Sequence, residues 1–168
     1  MDEQRIHPET IETGRFVLRE LSLEDAAEIY SYTSDPEVTR YVFFDAHKDV
    51  NQTVAYIASF NHPNKVGWSM VQRHTKRVVG IVFLHSIDEV VDSAELAYNV
   101  TRDLWGRGYA TEASRDVIDH YFSETTLSRI DGVCMIEHGA SERVLEKAGL
   151  DLQSVGEVHP KKAGTPSA

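Results

Sequence analysis

The sequence predicts an α/β fold in which a mixed, mostly antiparallel sheet carries helices on both faces. Three observations lead there. Two apolar runs, 66–73 and 78–85, flank the short polar link His74-Thr75-Lys76-Arg77, the pattern of an antiparallel hairpin. A third run, 94–100, passes through a glycine-rich turn into an amphipathic helix and then a further strand over 129–135. Helical stripes occupy the segments before the hairpin and after that last strand. Hairpin pairing combined with a strand–helix–strand crossover makes a mixed sheet flanked by helices.

The elements follow in order. Residues 15–21 (RFVLREL) alternate apolar and polar side chains as a half-buried strand does. Ser22 caps the next helix, with Asp25 three residues on in a capping-box arrangement, and Leu23, Ala26, Ala27 and Tyr30 form its apolar stripe. Asp35 caps a short helical turn through Arg40 with Pro36 at its first position. A helix over 49–60 places Val50, Val54, Ile57 and Ala58 on one face, and the turn-rich Asn61-His62-Pro63-Asn64 ends it. An acidic connection over 88–93 leads to the strand 94–100. The helix after the glycine turn points Ala110, Ala113, Val117 and Tyr121 inward. A short helix over 141–148 turns Val144, Leu145 and Ala148 inward and stops at Gly149 in a left-handed cap. Residues 150–158 read as a final strand and 159–168 as a polar tail. With no repeat and no long linker, one domain over 1–168 is expected, ordered from about 10 to 158.

Composition narrows the partners. The 168 residues can bury a real core in one domain. Lys and Arg total 17 against 27 Asp and Glu, a net charge of −10. A field of that sign favours solubility and repels nucleic-acid backbones, so no nucleic-acid partner is expected. The apolar runs fall far short of the roughly 20 residues of a membrane helix. The polar start MDEQR lacks a signal-peptide core, and no membrane partner is expected. Cys134 is the only cysteine, which excludes an intrachain disulfide and favours a cytoplasmic setting. No pair among the eight histidines stands at a metal-ligand spacing, so no metal is expected.

The chemistry concentrates where strand 94–100 meets its helix. Gly106 and Gly108 let the backbone turn tightly, and amide N–H groups at a helix start cradle a phosphate or diphosphate. A bare GxG also begins many helices with no ligand. There is no GxxxxGK[ST]. Thr111 stands where the last glycine of a GxGxxG would fall, and the turn follows the fourth predicted strand instead of the first, which excludes a dinucleotide fingerprint.

Around this turn the sequence resembles a known family. The string DLWGRGYATEA over 103–113 is similar to the signature of the GNAT N-acetyltransferase superfamily, and within it to the branch of ribosomal-protein alanine N-acetyltransferases. Further landmarks fall in the same order: ETGRFVLR over 12–19, DPEVTRY over 35–41, Val79-Gly80-Ile81, AELAY over 94–98, and EHGASERVLEKAGL over 137–150. The resemblance covers residues 10–150.

It implies a sheet splayed at a cofactor cleft, with the pantetheine arm of acetyl-CoA between strand 96–100 and strand 129–135. Tyr98, Asn99 and Val100 then contact the arm through their backbone. Trp105 opens the turn, the amides of Gly106, Arg107, Gly108, Tyr109 and Ala110 hold the diphosphate, and the Thr111 hydroxyl joins them. Arg107 adds charge or points to solvent. Glu95 matches the position facing the acceptor, as base or amine-positioning group; an exposed strand carboxylate is the alternative. Ser141 protonates the leaving thiolate or holds the arm, or simply caps its helix. Arg40, Tyr41 and Phe44, with Trp68, line the acceptor pocket beside Glu95, although Trp68 fits a core equally well. The acceptor is a primary amine, with a protein N-terminal α-amino group among the candidates.

Two departures from the branch stand out. His138 occupies the place of an asparagine that bonds the pantetheine arm, and one imidazole cannot replace both amide groups. After Leu150 the branch runs through two strands, whereas 151–168 offers one at most. A missing last strand, its edge covered in a homodimer, is therefore expected. A catalytically weak coenzyme A-binding module and an interaction protein that kept the fold are the alternative functions.

Overall fold

The structure is a computed structural model that describes residues 8–40, 42, 44–125, 128–132 and 139–150. Among the described residues, six strands form one sheet whose spatial order is their chain order. Strands β1 (Ile11–Glu12), β2 (Phe16–Glu20), β3 (Val66–Gln72), β4 (Val78–Asp88) and β5 (Ser93–Val100) pair antiparallel, and β6 (Arg129–Gly132) joins β5 in parallel. The two-residue β1 is too short to show alternation, so the sequence carried no signal for it. It puts the glycine turn after the fifth strand, not the fourth.

Three helices cover one face: α1 (Ala26–Thr33), α2 (Pro36–Thr39) and α3 (Val50–Ala58). Ile29 and Tyr32 of α1, Val38 of α2 and Ile57 of α3 bury against Val78 and Ile81 of the sheet. The other face carries α4 (Tyr109–Glu124) and α5 (Gly139–Lys147). There Ala113, Val117 and Tyr121 of α4 and Leu145 of α5 meet Leu18, Trp68, Val82, Leu84 and Leu96. Side chains alternate across a strand, so one sheet supplies two separate cores.

The caps read at Ser22 and Asp35 form, and Asp49 adds one that the sequence reading did not assign. Ser22 and Asp25 make a full capping box, and Asp35 and Asp49 accept from the first turns of α2 and α3. The helix stripes differ. Leu23 is 56% exposed and Ala27 faces solvent, while Ile29, Tyr32 and Thr33 turn inward. The first turn, Leu23–Asp25, is 3-10, and its three residues per turn rotate α1 away from the phase of a continuous α-helix. In α3, Val50 and Val54 are exposed and Thr53 is buried. Thr53 can turn inward because its hydroxyl pairs with His47 Nδ1 at 2.8 Å and Thr33 Oγ1 at 3.3 Å.

Gly80 brings β4 and β5 close together. A Cβ there would lie 2.5 Å from the Asn99 carbonyl oxygen and 2.9 Å from the Met70 sulfur. The described pairing of β5 with β6 runs from Ser93↔Arg129 to Leu96↔Gly132. Cys134, the expected continuation to Met135, residues 151–158 of the expected last strand and the segment where the return strand was expected to be missing all lie outside the described residues. The last helix starts at Gly139, two residues before the expected position, so Ser141 is its third residue and not its cap. Gly149 ends it at φ +106°, with Gly149 N–H donating to Glu146 O at 3.0 Å and Leu150 N–H to Leu145 O at 3.0 Å.

Candidate active site

Gly106 and Gly108 both adopt φ +77°, a left-handed conformation costly for any residue with a Cβ. Gly108 is the N-cap of α4 and makes no side-chain cap. Among the described residues, the amides of Gly106, Arg107, Gly108, Tyr109, Ala110 and Thr111 donate to no carbonyl or side chain. These donors sit at the positive end of a sixteen-residue helix. Such a cradle fits a diphosphate. Trp105 anchors the near end of the turn, its Nε1–H donating to Val100 O at 2.9 Å.

Residues from the start of the chain brace this turn. The Arg15 guanidinium donates to Arg107 O at 2.8 Å and lies 4.1 Å from the Tyr109 ring centre. The Glu112 carboxylate, in the first turn of α4, accepts from Arg15 Nε at 3.0 Å, Arg15 N at 3.1 Å and Thr13 Oγ1 at 2.8 Å. Tyr109 packs its ring on Phe16 at 4.8 Å, and its hydroxyl accepts from Gln72 Nε2 at 3.2 Å. Its side chain is therefore structural, leaving its N–H for a ligand. Neither Arg15 nor Glu112 stood out as a site residue in the sequence, since 97 positions separate them.

The edge of β5 follows from register. Thr101 N–H donates to Val79 O at 2.8 Å, so the antiparallel alternation turns the backbone of Asn99 toward β4 and that of Tyr98 and Val100 toward the β6 side. Asn99 thus departs from the expected set of coenzyme contacts. Its side chain enters the α1–α3 layer, where Oδ1 accepts from Tyr32 Oη at 2.7 Å and Nδ2 donates to Tyr56 Oη at 3.4 Å. Burial raises the pKa of both tyrosines, which keeps the two hydroxyls protonated.

Glu95 lies on the same face of β5 as Asn99, two positions from Ala97, with its side chain 41% exposed. Directly across on β4 stands His85, with Nε2 3.5 Å from Glu95 Oε2. A row of rings leads up to this pair. Centroids lie 4.9 Å apart for Phe44 and Tyr56, 5.4 Å for Tyr56 and Phe60, 5.0 Å for Phe60 and Phe83, and 5.7 Å for Phe83 and His85. Phe44 also stacks on His47 at 5.1 Å. Phe44 is thereby linked to Glu95 through the α3 layer. Arg40 is exposed at the end of α2, 3.9 Å from Glu37.

Trp68 is a correction. It is wholly buried on the α4 face, edge-on to Tyr121 at 5.6 Å, and its Nε1–H donates to Glu9 O at 2.9 Å. The sheet separates it from Glu95, so it belongs to the core and lines no acceptor pocket. Tyr41 and His138 lie outside the described residues, as does the Ser141 side chain. His85 went unnoticed in the sequence; the hairpin register that sets it opposite Glu95 is the signal that finds it.

No group of three or more His, Cys, Asp or Glu among the described residues could hold a metal ion. No described helix is long and apolar enough to cross a membrane.

Comparison with known proteins places this geometry. The acetyltransferase (GNAT) domain family matches residues 15–151. The uncharacterized N-acetyltransferase YoaA of Bacillus subtilis (strain 168) is 30% identical over 160 residues, 93% of this chain and 90% of its own. A GNAT-family acetyltransferase from Bacillus anthracis superposes with TM-score 0.79 at 23% identity, covering 87% of this chain and 86% of its own. Spermidine N-acetyltransferase from Vibrio cholerae, solved with CoA and spermine, superposes with TM-score 0.71 at 20% identity over 80% of each chain. At those identities the two structures share the fold with this chain.

Proposed function

The chain belongs to the GNAT acetyltransferase family, and from that premise we propose that it transfers the acetyl group of acetyl-CoA to the α-amino group of a protein or peptide. The observation that carries the reading is the amide cradle at the start of α4, with a half-exposed carboxylate, Glu95, on the strand that leads into it. Bound acetyl-CoA supplies an activated thioester carbonyl. The amides of Gly106 to Ala110 hold its diphosphate, and the Thr111 hydroxyl stands beside them in the first turn. The backbone of Tyr98 and Val100 faces the pantetheine side of β5. Glu95 takes a proton from the amine, and a β5 amide steadies the oxygen on which charge develops. Ser141 is the proton source for sulfur, and Arg40, Tyr41 and Phe44 shape the acceptor side.

The choice of amine rests on acidity. An α-amino group has a pKa of about 7.7–8.0 and lysine about 10.4, so near pH 7 the former holds roughly 300-fold more free base. A single carboxylate suits that acceptor. The sequence likeness to the ribosomal-protein branch points the same way. The reading extends to a cytoplasmic homodimer: a lone cysteine supports the compartment, and β6, whose outer edge has no strand partner among the described residues, supports the pairing. Sedimentation measures the dimer.

Calorimetry with acetyl-CoA, followed by thiol release on N-terminal peptides, polyamines and aminoglycosides, tests the function. Binding with turnover on the peptides is expected. Binding without turnover indicates a coenzyme A-binding module, and absence of binding removes the reading altogether.

A further inference from the structure

Glu95 does not stand alone. His85 Nε2 lies 3.5 Å from its Oε2, and Nδ1 of the same ring lies 3.1 Å from Ser86 Oγ. A carboxylate only accepts, so a hydrogen bond between the two requires the proton on Nε2. Nδ1 of the neutral ring then accepts from the Ser86 hydroxyl. Consecutive strand residues normally point to opposite faces, so a contact between His85 and Ser86 side chains needs a broken pleat. The break is present. Register slips between His85 and Asp88, where Ser86 and Ile87 oppose Ala94 alone, and Ser86 sits at φ +50°. Left-handed serine is uncommon, and a bulge holding one beside a candidate base is a re-aiming device.

The ring's charged neighbours are Glu95 on β5 and Lys65 on the link into β3, and Phe83 packs on it at 5.7 Å. Burial and Lys65 depress its pKa and Glu95 raises it, with a net lowering below 6.5.

We propose that His85 is a positioning residue for acetyl transfer, its Nε2–H holding the Glu95 carboxylate toward the acceptor amine and Ser86 fixing the ring. This rests on Glu95 being the base. In the step, the amine nitrogen bonds to the carbonyl carbon and Glu95 takes the proton released from nitrogen. The C–S bond breaks with its electron pair on sulfur, which then gains one proton, so amine and thioester become amide and thiol.

Two measurements on the full chain test it. In the first, ring-nitrogen NMR is expected to find His85 as the Nε2–H tautomer, titrating at lower pH in Glu95→Gln, which lacks the carboxylate that raises it. An Nδ1–H tautomer, or a titration indifferent to Glu95→Gln, overturns the pairing. In the second, thiol release with alanine- and serine-initiated peptides gives kcat/KM against pH. His85→Ala is expected to lose about tenfold or more in kcat/KM, the range of a misplaced base, with unchanged acetyl-CoA affinity by calorimetry. In the wild type, kcat/KM is expected to fall as pH drops through the His85 pKa, because the imidazolium weakens Glu95 as a base. His85→Gln, which donates from its amide without titrating, is expected to retain most turnover and lose that acid limb. If His85→Ala matches wild type across pH while Glu95→Gln is inactive, His85 has no such role and the Glu95 reading survives. If the wild type acetylates no peptide, or Glu95→Gln is fully active, both readings fall.

Discussion

Arg15 and Glu112, 97 residues apart, are joined twice: the Arg15 backbone N–H donates to Oε2 at 3.1 Å and its Nε to Oε1 at 3.0 Å. The pair places a carboxylate in the first turn of α4, next to the amides assigned to the diphosphate. Left bare, that carboxylate would repel the phosphates; with Arg15 it becomes a neutral brace. Arg15→Ala is expected to weaken acetyl-CoA about tenfold in calorimetry. The loss of folding stability should be no more than about 1 kcal/mol, since the Arg15 side chain is 41% exposed and solvent screens the pair. Equal affinity in the variant would show that Arg15 serves the fold alone.

Gly108→Ala isolates the conformation of the turn. Its Cβ would meet only Arg15 Nη2 at 3.5 Å, an ordinary contact, so the cost is the left-handed φ, about 1–2 kcal/mol. Coenzyme affinity should drop by about tenfold with little change in the denaturant midpoint if the turn relaxes locally. A midpoint that falls while affinity holds would place the strain in the core.

Asn99 links two buried phenols. Asn99→Ala leaves Tyr32 Oη without its 2.7 Å acceptor inside the α1–β5 contact. About 2 kcal/mol of stability should be lost in urea unfolding, and Tyr32→Phe, which removes the other partner, should partly restore it in the double variant.

Acid should act through Asp25. Burial opposes its ionisation, but hydrogen bonds from Arg19, Ser69 and Ser22 outweigh it and hold its pKa below the ordinary 3.8. A lowered folded-state pKa adds stability above 3.8 that is lost as pH falls through the folded value. Asp25→Asn should therefore cost about 2 kcal/mol at pH 7 and progressively less below pH 3.8 in pH-dependent unfolding. A pH-independent penalty would assign the loss to geometry instead of charge.

What the order of residues determined here is local. The caps at Ser22 and Asp35 need only their own first turns, and Gly106 and Gly108 announce a tight turn before a helix because glycine's backbone freedom is a property of one residue. The hairpin and the amphipathic α4 follow from spacing alone. The inward faces of α1 and α3 did not, because a 3-10 first turn and a satisfied Thr53 set their phase. Tertiary structure alone decided which layer each strand residue enters and which distant groups meet. It sent Trp68 to the α4 core, Asn99 to Tyr32, Arg15 to Glu112 and His85 to Glu95. Those pairings depend on sheet register, where a one-residue slip or bulge exchanges the two faces, and register is set by the packing of the whole sheet.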